Sequence, residues 1–248
     1  MKRYKLVIAY DGTSYHGWQV QPDHVTIAGT LEDHFYKAFQ TPTQLLGASR
    51  TDAGVHALGQ VAECRTELDL DPEKLQLAWN NILPPEIVIR SLEYADKLFH
   101  PIKNVGSKIY HYHFFLERPL PFVQRYGWYF HSSPDLEKLK KCLNIFVGTH
   151  DFRSFCTGNE KDNTVRTIDS ASVEYLTQFN AYRIAIKGPG FLRYMIRRIV
   201  GASLKIASRP AVSPDVLRTA LDQKDPRQLL FNAPAKGLLL YKIKYKEK

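Results

Sequence analysis

Cysteine is scarce in this sequence: Cys64, Cys142 and Cys156 are the three such residues among 248. No two of them form a CxxC pair, and an odd number argues against a disulfide framework. Long apolar runs are also missing, and the apolar stretch near the start of the chain is interrupted at Asp11. The sequence therefore argues against a disulfide-rich secreted module and a membrane-spanning protein, and it favours a cytoplasmic location.

The motifs of several enzyme classes are absent. The sequence contains no P-loop, no Rossmann glycine fingerprint, no HExxH and no GxSxG. Catalysis that depends on ATP or on a nicotinamide is therefore not expected. Acidic residues are also few relative to basic ones, because 25 Asp and Glu stand against 34 Lys and Arg, a net charge of +9. This charge favours a polyanionic partner, for which RNA, DNA and an anionic membrane all qualify.

The composition is typical of a folded globular protein, with 44% hydrophobic and 24% charged residues. Residues 4–94 predict the element order β-α-β-β-α-β, which is the ferredoxin-like supersecondary pattern. Thr30 is expected to cap the first helix, whereas Asp71 followed by Pro72 predicts the cap and first position of the second. The predicted strands cover residues 4–10, 44–48, 59–65 and 87–92, and the predicted helices cover residues 31–39 and 72–79.

The second half of the chain predicts a similar order with additions. We expect an α+β protein with two ferredoxin-like domains, residues 1–104 and 105–248, whose antiparallel or mixed sheets pack side by side with helices on one face. A basic cleft between the domains is the expected place for a site. The predicted strands cover residues 108–116, 165–175, 182–187 and 237–245, and the predicted helices cover residues 135–146, 191–207 and 214–221.

A loop between two predicted strands, residues 50–56, combines Arg50, Asp52 and Gly54. Loops on rigid scaffolds often carry functional residues. The alternative is an ordinary turn, in which Asp52 accepts hydrogen bonds from local amides and Arg50 lies in solvent. The residue types of this loop, taken alone, favour the turn.

The predicted helix over residues 191–207 carries arginines beside its apolar stripe. Arg193 and Arg197 fall at the border of the stripe, and Arg198 lies on the other side. A strongly desolvated arginine needs an acidic or phosphate partner. The alternative is an arginine whose stem lies along the core and whose head lies in water. The stripe consists of Leu192, Met195, Ile196, Ile199 and Ile206.

The predicted strand over residues 108–114 alternates aromatic and histidine residues. Tyr110 belongs to the aromatic face, and His111 and His113 share the other. Because the sequence places no third ligand near them, we expect an exposed histidine face and no metal site. Cys156 is expected to be a small buried hydrophobe with no nucleophilic role.

Strings of residues along the chain carry a more specific signal. The most specific is SRTDAGVHA at residues 49–57. Others are YDGT at 10–13, YHGWQ at 15–19, YHY at 110–112, HDFRSF at 150–155, GFLRYMIRRIVG at 190–201 and PAKGL at 234–238. These strings resemble, nearly end to end, those of the tRNA pseudouridine synthase A (TruA) family.

The resemblance implies a catalytic site. By its motifs, Asp52 is the catalytic aspartate and nucleophile, Tyr110 is the active-site tyrosine, and Arg197 is the arginine that pairs with Asp52. Two residues depart from the commoner family pattern: Ser49 stands where glycine is frequent, and Ile109 stands where a basic residue often precedes the tyrosine. Both departures flank the expected site and bear on its contacts with RNA.

The resemblance also implies a substrate and partners. The expected substrate is the anticodon stem-loop of tRNA, at positions 38, 39 and 40, and the expected assembly is a homodimer. Arg50, Arg193 and Arg198 are candidates for contacts with RNA phosphates. The target uridine has to leave its stack to reach the aspartate.

The implied chemistry needs no cofactor. Pseudouridine formation breaks the N1 glycosidic bond of uridine and rejoins the same base through C5, without net redox change. An ionised Asp52 attacks C1′, attacks C6 or stabilises a cationic sugar, and the sequence leaves these routes open. The alternatives are a pseudouridine synthase for another RNA, a non-catalytic tRNA-binding chaperone, and an aspartate-dependent phosphate-ester hydrolase. The hydrolase normally needs a metal, and no clustered carboxylates near Asp52 provide one.

Overall fold

A computed structural model describes residues 1–157, 163–225, 227–228 and 230–246. The chain divides into two compact units: unit 1 combines Met1–Gly106 with Leu239–Lys248, and unit 2 is Ser107–Leu238. Each unit contains β-strands and α-helices, so the predicted α+β class is confirmed. Within the described ranges, no helix is long and apolar enough to cross a membrane.

The described residues form strands β1–β11 and helices α1–α5. The strands are β1 Lys2–Tyr10, β2 Thr43–Gly47, β3 His56–Thr66, β4 Ile87–Tyr94, β5 Val105–Phe115, β6 Trp128–Tyr129, β7 Gly148–Asp151, β8 Val165–Ile168, β9 Ser170–Leu176, β10 Ala181–Gly188 and β11 Leu238–Tyr245. The helices are α1 Ile27–Phe39, α2 Pro72–Asn80, α3 Leu136–Asn144, α4 Met195–Ala207 and α5 Asp215–Gln223.

The strands of unit 1 are arranged around β1 and β3. Alternate residues Tyr4, Leu6 and Ile8 of β1 are buried, as expected for a strand with one face on a core. β1 pairs antiparallel with β3 and β4, and β2 pairs antiparallel with β3. β11 runs parallel to β3, with Leu239 opposite His56. The predicted order β-α-β-β-α-β is the observed order of β1 to β4 with α1 and α2.

The helix caps in unit 1 were predicted with one error. The Asp71 side chain accepts the N–H of Glu73 at 3.0 Å with Pro72 at the start of α2, which confirms that cap. The expected cap at Thr30 is wrong, because Thr26 caps α1 and its hydroxyl accepts the N–H of Gly29 at 3.3 Å. α1 therefore begins one turn earlier than predicted.

Unit 2 contains further paired strands. β10 pairs antiparallel with β5 and β9, and β6 runs parallel to β5. The predicted strand over 165–175 is instead two strands that separate at Asp169, whose N–H donates to the carbonyl of Lys187 at 2.8 Å. β8 pairs with β7, a strand that the sequence did not predict, in a separate two-stranded sheet.

Two predicted boundaries differ from the structure. The helix predicted from residue 191 begins at Met195, because Tyr194 has a φ of 62° and lies outside the right-handed helical region. The closing strand was predicted as part of the second domain, whereas residues Leu239–Lys248 group with unit 1. Pairing with β3, which is remote in sequence, places β11 there.

Candidate active site

The loop at residues 48–55 connects β2 to β3 in unit 1. Ser49 and Thr51 are buried, Asp52 is half-buried, and Arg50 is exposed. Buried residues therefore alternate with residues that reach the surface. The loop holds its backbone in the core while it presents the Asp52 carboxylate and the Arg50 guanidinium.

Residues from the start of the chain fix this loop at Thr51. The hydroxyls of Tyr10 and Thr51 form a buried hydrogen bond of 2.8 Å, and the N–H of Trp18 donates to the Thr51 carbonyl at 3.1 Å. Gly17 has a φ of 89°, and a Cβ there would lie 2.4 Å from the same carbonyl oxygen. Glycine is therefore required at position 17 for this close approach. Both YDGT and YHGWQ thus contribute to the support of the Asp52 loop.

A glutamine on β3 fixes the loop at Ser49. The Gln60 side chain is fully buried, its Oε1 accepts the Ser49 N–H at 3.2 Å, and its Nε2 donates to the Ser49 carbonyl at 2.6 Å. This pair of bonds satisfies both backbone polar groups of a buried residue. Sequence reasoning missed Gln60. The available signal was a single amide side chain within the otherwise apolar stretch Ala57–Ala62.

In unit 2, Tyr110 lies on β5 opposite Ile186 of β10. The side chain is buried, and its ring meets the ring of Phe191 edge-on, with centroids 5.5 Å apart and planes at 87°. Lys108 shares the face of β5 with Tyr110, because it lies two residues earlier on the strand. Burial lowers the pKa of Lys108 to about 8.

The other face of β5 differs from the expectation. His111 is 7% exposed, so the predicted exposed histidine face is wrong at this residue. Burial, together with the nearby Arg183, lowers the pKa of His111 to about 4, so the imidazole is neutral at pH 7. Among the described residues no three His, Cys, Asp or Glu side chains lie together as metal ligands do. Cys156 is buried, as expected.

Arg197 lies on α4 and is half-buried. Its Nε donates to the Ala233 carbonyl at 2.8 Å, and the Ala233 N–H donates to the Arg197 carbonyl at 3.1 Å. The segment around Ala233 comes so close to α4 that a Cβ at Gly201 would lie 2.3 Å from the carbonyl oxygen of Phe231. The alternative of a guanidinium held only by water is therefore incorrect for Arg197.

Arg193, just before α4, and Arg198, on α4, lie in different environments. Arg193 is exposed, and its guanidinium carbon lies 5.0 Å from the ring centre of Tyr194. Arg198 donates from Nη1 to the carbonyl of Cys156 at 2.6 Å, and burial lowers the pKa of its guanidinium. The structure thus gathers Arg193 and Arg197 around Tyr194 and directs Arg198 toward Cys156.

Known proteins match the chain over nearly its whole length. A family model described as tRNA pseudouridine synthase matches residues 6–102 and 143–246. The chain belongs to the tRNA pseudouridine synthase family. Three relatives are each 36% identical to this chain. Two are tRNA pseudouridine synthase A of Thermodesulfovibrio yellowstonii and of Pseudothermotoga lettingae, and each alignment covers 99% of this chain and 100% of the relative. The third is tRNA pseudouridine synthase A 1 of Protochlamydia amoebophila, whose alignment covers 99% of this chain and 97% of the relative.

Membership in this family makes the chain an isomerase that forms pseudouridine, and it confirms the resemblance seen in the sequence strings. The two matched stretches contain the Asp52 loop and α4 with Arg197, whereas Tyr110 lies between them. The alignments with the relatives cover 99% of the chain and extend across that interval. The alternative of a phosphate-ester hydrolase is wrong, because the family catalyses an isomerisation.

Proposed function

We propose that this chain converts uridine to pseudouridine in the anticodon stem-loop of tRNA, at positions 38, 39 and 40, with Asp52 as the nucleophile. The observation that carries the proposal is the Asp52 loop: a half-buried carboxylate is presented between a buried Ser49 and a buried Thr51 whose backbones are fixed by hydrogen bonds. A carboxylate on such a rigid base is ordered before substrate binds, which favours catalysis. The relatives named above support tRNA as the substrate.

In the proposed reaction, Asp52 acts as an ionised carboxylate. It attacks the sugar or the base, or it stabilises a cationic sugar, while the N1–C1′ bond breaks and the base turns to offer C5. We propose that the guanidinium of Arg197 pairs with Asp52, which favours the charged carboxylate and orients it. The same base is released and recaptured, so no group donor enters the reaction.

Tyr110 is the proposed contact for the target base. A phenol offers both an aromatic ring for packing against uracil and a hydroxyl for proton transfer. The edge-on contact with Phe191 fixes the ring of Tyr110 within unit 2. Arg50 and Arg193 are both exposed and are the proposed phosphate contacts. Arg198 is proposed as a further contact through the part of its guanidinium that Cys156 does not engage.

We further propose that each unit is a variant of the ferredoxin-like domain, with a basic cleft as the RNA site, and that the enzyme acts in the cytoplasm as a homodimer. The β4-β1-β3-β2 pairing order of unit 1 supports the fold assignment. The net charge of +9 supports a polyanionic substrate. Three buried cysteines with no disulfide between them are consistent with a reducing compartment.

The proposed substrate can be tested with a sequencing method that maps pseudouridine in RNA. Unmodified tRNA with uridine at positions 38–40 is incubated with enzyme, beside the same tRNA with cytidine at those three positions. We expect pseudouridine only in the first RNA and only there. Modification at other positions, or of another RNA instead, contradicts the proposed substrate, and tight binding without any modification favours the chaperone.

A further inference from the structure

Tyr194 has an unusual backbone conformation at the N-terminus of α4. Its φ of 62° and ψ of −1° lie in the left-handed region, which side chains other than Gly, Asn and Asp rarely adopt. The Tyr194 side chain makes no capping hydrogen bond to the helix. Capping therefore does not explain why a bulky residue occupies this position. Such strained residues persist where the surrounding structure holds them, often at functional sites.

The aromatic ring of Tyr194 lies against two guanidiniums. The guanidinium carbons of Arg193 and Arg197 lie 5.0 and 5.2 Å from the ring centre, within the range of cation–π attraction. Nη2 of Arg193 also donates to the Tyr194 hydroxyl at 3.2 Å. One ring thus contacts both the exposed arginine proposed to bind phosphate and the arginine proposed to pair with the reacting carboxylate.

Arg197 is consequently held by at least two groups. Its Nε is engaged by the Ala233 carbonyl at 2.8 Å, and its guanidinium lies beside the Tyr194 ring. Because Nε is engaged, a carboxylate meets this guanidinium through its two terminal amino groups. Two parallel hydrogen bonds form only when the carboxylate lies in the plane of the guanidinium, so the orientation of that plane matters. The Tyr194 ring beside the guanidinium restrains this orientation.

We propose that Tyr194 is a positioning residue for the isomerisation: its ring orients the guanidinium of Arg197 toward the reacting carboxylate and keeps Arg193 beside it. The proposal rests on the function proposed above. Tyr194 has no contact with the reacting atoms in this account and acts through Arg197.

Four substitutions at one position separate this role from a structural one. Tyr194→Asn and Tyr194→Gly accept a positive φ and remove the ring, so neither strains the backbone. Tyr194→Phe keeps the ring and removes the hydroxyl, and Tyr194→His keeps a smaller aromatic ring. Each variant is compared with wild type for its single-turnover rate of pseudouridine formation in unmodified tRNA, its Kd for that tRNA and its Tm.

We expect Tyr194→Asn and Tyr194→Gly to lower the single-turnover rate about tenfold, which is within the strength of one cation–π contact. Their Kd for tRNA should stay within about threefold, because phosphate contacts dominate binding and both arginines keep their charge. Tyr194→Phe should keep the rate within about twofold, since the ring face is retained. Tyr194→His should fall between Phe and Asn.

Three results overturn the proposal or its basis. If Tyr194→Asn folds with the wild-type Tm and reacts at the wild-type rate, the ring does not position Arg197. If Tyr194→Phe is as slow as Tyr194→Asn, the hydroxyl matters and the ring does not. If wild type itself forms no pseudouridine in this tRNA, the proposed function fails first, and the inference about Tyr194 fails with it.

Discussion

Arg197 and Ala233 exchange two hydrogen bonds across different parts of unit 2. The side chain of Arg197 donates to the Ala233 carbonyl at 2.8 Å, and the Ala233 N–H donates to the Arg197 carbonyl at 3.1 Å. α4 and the segment before β11 are thereby joined at the arginine that the family motifs mark as functional. These two hydrogen bonds fix the orientation of the Arg197 side chain.

Replacement of Arg197 by lysine tests that orientation. Lys keeps the positive charge but lacks both the Nε–H for Ala233 and the planar fork that pairs with a carboxylate. We expect Arg197→Lys to lower the single-turnover rate by at least about tenfold. Its Kd for tRNA should change by less than about threefold. Arg218→Lys, on the exposed face of α5, is the control and should match wild type. Equal rates for the two variants would show that charge alone suffices at position 197.

Replacement of Gln60 by leucine tests the support of the Asp52 loop. Leucine has a similar size but leaves the buried N–H and carbonyl of Ser49 without the partners that Gln60 provides. Each unpaired backbone group costs about 1–3 kcal/mol, so the free energy of unfolding should fall by at least that amount. Chemical denaturation measures the change, and the rate of isomerisation should fall as well. Gln44→Leu, at an exposed position on β2, is the control. An unchanged denaturation midpoint for Gln60→Leu contradicts the role given to this side chain.

Replacement of Gly201 by alanine tests the close contact between α4 and the segment at Phe231. The new Cβ would lie 2.3 Å from the Phe231 carbonyl oxygen, so the two backbones must separate. Overpacking of this kind costs about 1–3 kcal/mol, which thermal denaturation detects as a lower Tm. The rate should also fall, because the Ala233 carbonyl moves away from Arg197. Gly190→Ala is the matched control, since no atom of the described residues, its two chain neighbours aside, lies within 4 Å of its added Cβ. If both alanine variants melt together, the contact is not as tight as described.

Replacement of Lys108 by methionine tests the burial of its ammonium group. Burial lowers the pKa of Lys108 from 10.5 to about 8, so the unfolded chain binds more protons than the folded one between these two values. The free energy of unfolding of wild type therefore rises as the pH increases from about 8 to about 10.5 through this group. Below pH 8 the cost of the buried charge is present in full.

We therefore expect Lys108→Met to have a higher Tm than wild type at pH 7, and the difference to shrink toward pH 10. Lys141→Met, at an exposed position of α3, should show no such pH-dependent difference. Thermal melts of the three proteins across pH 7–10 give the comparison. A Tm advantage of Lys108→Met that grows with pH has the wrong sign and contradicts the account.

Local patterns were sufficient to predict much of the fold. The alternation of buried residues in β1 and the Asp71-Pro72 start of α2 are both local signals, and the structure follows them. The cap of α1 was missed because both Thr26 and Thr30 are acceptable cap residues, and only the fold shows which hydroxyl meets a free N–H. The separation of β8 from β9 at Asp169 depends on partners, β7 and β10, that no local pattern identifies.

Only the residues of the candidate site that lie in sequence motifs could be predicted. Asp52 and Arg197 stand in strings specific enough to mark them, and the family comparisons agree with the resemblance. The residues that support them were not predictable, because Gln60 acts on a residue 11 positions away and Ala233 on one 36 positions away. The left-handed conformation of Tyr194 could not be predicted, because the helical spacing of apolar residues extends through this segment into α4.

Release of tritium from tRNA labelled at uracil C5 tests the central claim most directly, because the C5 hydrogen is lost when the base rejoins the sugar through C5. Wild type and Asp52→Asn are compared on unmodified tRNA, with Kd measured for both and with no nucleotide or metal added. We predict release by wild type, none by Asp52→Asn, and tRNA affinities within about threefold of each other. Release by Asp52→Asn at the wild-type rate would contradict the assignment of Asp52 as the nucleophile.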